Sequence, residues 1–181
     1  TTVATAMREL LLEPLALDRI IYQDDELATG PVAIGLTHLA GPAPLTIRDG
    51  SGLLPCRAVA TAAGAAGGMA GDAESLARWV YLLHASGVLQ PDSLRALKSS
   101  DGHGFGSARF EVDGKEALGH PGLIPGYRGI LAYLPSLEMS CAVLVNTDAQ
   151  DVDPLQFLER LVGALRSTFR RSGHQASSGQ A

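Results

Sequence analysis

The chain has 181 residues, enough for one domain with a core of its own. Hydrophobic residues make up 46% and charged residues 18%, a globular rather than a disordered composition. The net charge of −5 argues against a nucleic-acid surface, which needs a basic patch, and no apolar run reaches the length of a membrane span.

The first residue is Thr1 and no signal-peptide pattern follows it, so the sequence leaves the compartment open. Cys56 and Cys141 are too few for a disulfide scaffold; Cys141 lies in an apolar strand pattern, as a small buried hydrophobe would, and a pairing with Cys56 stays open. Val3 to Leu12 reads as a helix with Met7, Leu10 and Leu11 near one face, ended by Pro14. Residues 28 to 71 are rich in Gly, Ala and Pro. So long a stretch should either wrap a larger surface or carry short elements. A clearer helix follows, capped by Asp72, with Leu76, Trp79, Val80 and Leu83 at helical spacing and Gly87 as its stop. A short helix begins at Pro91, with Leu94 and Leu97 turned inward.

From Ser107 the pattern changes to strands. Phe110-Glu111-Val112 runs into the hairpin turn Asp113-Gly114, and Ala117 to Gly119 returns as its partner. Arg128 to Leu134 and Met139 to Val145 form two more strands around the turn at Pro135 to Glu138, an antiparallel meander. Asp153-Pro154 starts a last helix whose stripe is Leu155, Leu158, Val162, Leu165 and Phe169. The polar residues after Arg171 read as an unfolded tail. The expected fold is α+β: an antiparallel meander flanked by helices. A helical and loop portion spans 1–106, the sheet and last helix 107–171, and the tail 172–181.

A strand ending in His120-Pro121-Gly122 next to a glycine-rich turn lets a ligand approach the backbone closely. An acyl-transfer site needs a nucleophile, a base and N–H donors aimed at the developing oxyanion, and a strand edge is a source of such donors.

Four landmarks in order carry a family resemblance. Leu11 to Leu17 is similar to an "ILEPLGL" helix end. Ala65 to Trp79 is similar to an "AGGLVSTARDLARF" segment. Gly102 to Gly106 is similar to a "YGLGW" turn. Most specific is Gly119-His120-Pro121-Gly122-Leu123-Ile124-Pro125-Gly126-Tyr127-Arg128, running on to Leu144-Val145-Asn146, which is similar to "GHTGGTPGFRS…VVVLTN". Together they cover most of residues 9 to 146. They resemble the later half of the serine β-lactamase-related, penicillin-binding-protein-like hydrolases: class C β-lactamases, D-alanyl-D-alanine carboxypeptidases and related esterases.

The resemblance implies that His120 takes the cationic or hydrogen-bonding role of this strand, and imidazoles in general titrate near neutral pH. It implies that the Leu123 backbone N–H is an oxyanion donor and that Pro121 and Gly122 line the substrate. Pro121 stands where the family has a hydroxyl residue and offers neither hydroxyl nor N–H, which favours an esterase-like or degenerate site. The family's Ser-x-x-Lys and Tyr-x-Asn motifs are absent: Arg95 and Val112 stand three residues before Lys98 and Lys115, and no tyrosine precedes an Asn by two places.

The resemblance therefore implies the carboxy-terminal part of a serine hydrolase acting on a small-molecule or peptide-like acyl substrate, inactive by itself. The alternative is a truncated or degenerate binding module. Either way the open sheet should dimerise or associate with an amino-terminal partner. No cofactor and no metal are expected: His38, His84 and His174 lack ligand spacing and read as surface residues, and His103 as a solvated turn residue. Gly64, Gly67 and Gly68 lack the Lys-Ser/Thr of a phosphate loop and read as a turn. Asp101 and Glu111 read as solvated charges, and Gly50-Ser51-Gly52 lacks the strand and helix of a nucleophile elbow. Thr1 as an amino-terminal nucleophile lacks a strand to hold it.

Overall fold

A computed structural model describes residues 1–23, 25–39, 41–46, 61–98 and 106–177, with side chains as far as Phe169. Cys56, His103, Asp101 and the Gly50-Ser51-Gly52 triplet, all weighed above, lie outside the described residues, as does most of the third landmark.

Helix α1 (Val3–Met7) is capped by Thr2, whose hydroxyl accepts from the Thr5 N–H. It passes into a π-helical turn at Arg8–Leu12, marked by the Glu13 N–H donating to the Arg8 carbonyl. The wider turn shifts the side-chain phase. Leu12 is therefore buried and Leu10 is 72% exposed, a correction to the expected face. β1 (Ile21–Tyr22) precedes the Gly/Ala/Pro-rich stretch, and β2 (Leu36–Thr37), β3 (Leu45–Thr46), a 3₁₀ turn at Gly64–Ala66 and β4 (Met69–Ala70) break it up. β1 pairs with β4 and β2 with β3, both antiparallel. The glycines at 64 to 68 make the turn that leads into β4, and Gly68 is needed there because a Cβ would stand 2.7 Å from the Gly64 carbonyl oxygen.

Helix α2 (Ala73–Ala85) begins as expected, with the Asp72 carboxylate accepting from the Ser75 N–H. It ends at Ser86 before Gly87, whose φ of +77° favours glycine. Its apolar residues divide between two cores. Leu76, Trp79 and Leu82 pack on Leu12, Leu17 and Ile20, while Val80 packs on the sheet at Leu118 and Tyr133. Helix α3 (Pro91–Leu97) follows.

The main sheet has four antiparallel strands in the order β5 (Ala108–Val112), β6 (Lys115–Ile124), β7 (Tyr127–Leu134) and β8 (Met139–Val145). Asp113 and Gly114, both at positive φ, make the type I′ turn that suits a right-twisted hairpin. Helix α4 (Pro154–Ser177) covers one face, burying Leu158 and Val162 against Val112, Ala117, Ile130, Ala132, Leu134 and Cys141. Cys141 is a free, buried thiol. α2 covers the other face, giving a helix–sheet–helix sandwich. The structure is α+β, with an antiparallel meander between helices. α4 continues past Arg171, where an unfolded tail was expected; a nucleated helix adds one hydrogen bond per residue fixed, and no proline intervenes to stop it.

Candidate active-site edge

β6 runs five residues beyond the point where β5 stops. Ala108 pairs with Gly119, the last β5 contact, whereas β6 stays paired with β7 to Ile124↔Tyr127. Residues 120 to 124 thus present an edge that no described strand covers.

Register tells which backbone groups point out of that edge. In a two-residue hairpin the residues flanking the turn form a hydrogen-bonded pair, and the direction alternates along the strand. Val112↔Lys115 turns the Lys115 amide group toward β5, and Ile124↔Tyr127 turns that of Ile124 toward β7. Both hairpins give the same parity: Gly119, Pro121 and Leu123 direct their backbone polar groups away from β7. The Leu123 N–H therefore points out of the open edge. Pro121 sits where its missing N–H breaks no ladder bond, which is why a proline is tolerated inside a paired strand. That tolerance also explains why the strand reaches Ile124 instead of ending near Gly119.

His120 alternates with Gly119 and so shares the α2 face with Leu118. Its side chain is exposed, opposite Leu131. Its Nδ1 lies within hydrogen-bonding reach of the Pro121 carbonyl oxygen. Donation there selects the tautomer protonated at Nδ1 and leaves Nε2 as an acceptor. Gly122 has no heavy atom within 4 Å of where a Cβ would stand, and Leu123 is 64% exposed.

A strap formed by residues 33 to 38 closes over the β6–β7 hairpin tip. The Tyr127 hydroxyl donates to the Ala33 carbonyl at 2.7 Å, Asn146 Nδ2 to the Ile34 carbonyl at 2.9 Å, and the Leu36 N–H to the Asn146 carbonyl at 3.0 Å. Asp148 ties the strap to the tip. Its carboxylate accepts from the Thr37 hydroxyl at 2.6 Å, the His38 N–H at 2.7 Å and the Gly126 N–H at 2.8 Å. Burial alone would push this carboxyl up. The bonds from Thr37, Gly126 and His38 outweigh it and hold the group at about 2.

A family model described as Beta-lactamase matches residues 1–164. The chain belongs to the Beta-lactamase family. Among solved structures it is similar to a D-amino acid amidase from Ochrobactrum anthropi SV3, at TM-score 0.68 and 20% identity, covering 93% of this chain and 51% of that one. It is also similar to a D-stereospecific amidohydrolase from Streptomyces sp. (TM-score 0.66, 21% identity, 80% and 44% covered) and to an octameric penicillin-binding protein homologue from Pyrococcus abyssi (TM-score 0.67, 18% identity, 91% and 37% covered). The chain thus spans about half the length of the first of these structures. No match was found among curated proteins.

Within this Beta-lactamase-family fold, His120, Pro121, Gly122 and Leu123 lie consecutively on the open edge. Of the histidines read as surface residues, His84 is buried and His38 is partly so. His38 packs its Nδ1 3.4 Å from Asp148, and its side chain is 29% exposed. His84 is buried, its Nε2 3.4 Å from the Ser107 hydroxyl and its ring stacked on Tyr133. Asp148 escaped sequence reasoning because its partners Thr37 and His38 lie 111 and 110 residues away. A shallow cleft of about 310 Å³ between Lys115, Leu137, Met139, Leu165, Arg166 and Phe169 lies on the α4 face, opposite His120, and is lined by no hydroxyl or thiol side chain. Among the described residues, no three metal-ligating side chains cluster and no helix is long and apolar enough to cross a membrane.

Proposed function

We propose that this chain forms one wall of an acyl-transfer pocket in a serine hydrolase, with the reactive serine contributed by a segment outside these 181 residues. The observation that carries the reading is the outward direction of the Leu123 N–H on the uncovered β6 edge. Such a fixed donor stabilises a tetrahedral oxyanion without reorganisation. Three residues of strand, about 10 Å, separate His120 from Leu123. His120 therefore meets the leaving or anionic part of an acyl substrate, while Leu123 meets the reacting carbonyl. Pro121 supplies no hydroxyl for a penicillin-type carboxylate, so an ester or a small amide is the substrate class.

The test uses a fluorophosphonate and a fluorescent penicillin. The 181-residue chain should stay unlabelled, and a polypeptide that also carries a Ser-x-x-Lys segment should label. Labelling of the 181-residue chain would refute the assignment of the nucleophile.

A second reading, a non-catalytic binding module, rests on the β8 edge. No described strand pairs with β8 on the side away from β7. Arg166 of α4 bonds to Asp113 at the β5 end of the sheet, and Phe157 lies half a turn round the helix from Arg166. Phe157 and Leu161, 47% and 42% exposed, are apolar side chains of α4, the helix that packs on β7 and β8. An unpaired edge together with exposed apolar side chains is a surface for strand addition.

A further inference from the structure

Resting on the acyl-transfer reading, we propose that Asp148 is a positioning residue for the pocket: its carboxylate locks the β6–β7 tip to the 33–38 strap and so sets the direction of the Leu123 N–H. The Tyr127 hydroxyl also ties the tip to the strap, through the Ala33 carbonyl, but Asp148 is the group that bonds the turn backbone itself. Gly126 occupies φ +79° in the turn after Pro125, a conformation that fixes the turn type but not its tilt against the rest of the molecule. The Asp148 side chain is only 6% exposed and gathers three donors from two chain segments, Thr37 and His38 on one side and Gly126 on the other. Gly126 lies three residues beyond Leu123 across a tight hairpin, so a tilt of the turn moves the Leu123 amide directly. The backbone closes the loop from the other direction, because the Asp148 N–H donates to the Leu36 carbonyl. Close packing of Gly35 on the Tyr127 ring leaves the strap no room to compensate.

Asn at 148 keeps the shape but not the chemistry. Its amide nitrogen must face either the Gly126 N–H or the His38 N–H, setting donor against donor. The test is a ¹H–¹⁵N spectrum with amide exchange of the 181-residue chain carrying Asp148→Asn, beside Thr37→Val, which removes one donor and leaves the carboxylate. The Gly126 amide, which loses its carboxylate acceptor, should exchange about tenfold faster in Asp148→Asn, and the Gly126 and Leu123 signals should shift, both effects being smaller in Thr37→Val. Val112 and Leu158 should not change. Unchanged Leu123 signals in a folded Asp148→Asn protein would overturn the proposal. In a nucleophile-bearing polypeptide, Asp148→Asn should lower kcat about tenfold with KM nearly constant; an unchanged kcat would likewise overturn it. The acyl-transfer reading fails separately, if Leu123→Pro, which deletes the donor, leaves turnover unchanged.

Discussion

His84 is the residue whose environment departs most from its sequence reading. It sits in the last turn of α2, where the helix dipole favours a cation. Burial first, then the charge of Lys98, nevertheless pushes its pKa down from 6.5 to about 4. Its Nδ1 has no partner among the described residues. The unfolded chain takes up this proton near pH 6.5 and the folded chain only near pH 4, so between those values the unfolded state binds more protons. Stability is whole above pH 6.5 and falls as the pH drops toward 4. The urea midpoint should decline through that window by the equivalent of roughly 2 kcal/mol, and His84→Leu should flatten the decline. A decline of equal size in both proteins would place the acid sensitivity elsewhere.

At the scale of elements, the β5–β6 and β6–β7 hairpins carry both the fold and the candidate site. Two glycines on β6 separate these roles. A Cβ on Gly119 would stand 1.9 Å from the Leu131 carbonyl oxygen and 2.8 Å from its carbon, backbone atoms that cannot move without parting β6 from β7. Gly119→Ala should cost about 3 kcal/mol in urea unfolding. A Cβ on Gly122 meets nothing within 4 Å, so Gly122→Ala should stay within about 0.5 kcal/mol. Equal losses would mean that β6 is not paired in the register described. The sequence marks the first hairpin well because local chemistry at Asp113-Gly114 sets it; the second, turning at Pro125-Gly126, is not legible there because the returning strand reads as ending near Gly119. Strand length is less visible. Pro121 reads as a strand end until the register puts its missing N–H on the open edge.

For the molecule as a whole, the sheet's outer edges decide what this chain does on its own. Among the described residues the unpaired β8 edge and the exposed Phe157 and Leu161 of α4 should drive self-association that depends on concentration. Sedimentation velocity should detect dimers or larger species, and the double change Phe157→Glu and Leu161→Lys should weaken association about tenfold or more. A stable wild-type monomer at high concentration would exclude this edge as a contact surface.

The sequence by itself determined what local physics controls: the caps at Asp72 and Asp153, the Asp113-Gly114 turn, the apolar stripe of α4 and the four-strand meander. It also marked His120 to Leu123 through resemblance. Only the tertiary structure decided which groups face the open edge, that α2 divides its apolar residues between two cores, and that His84 and Asp148 are buried. The reason is range. Capping and turn formation act over two to four residues, whereas burial and strand parity are set by partners that sequence distance hides, as the 111 residues between Thr37 and Asp148 illustrate.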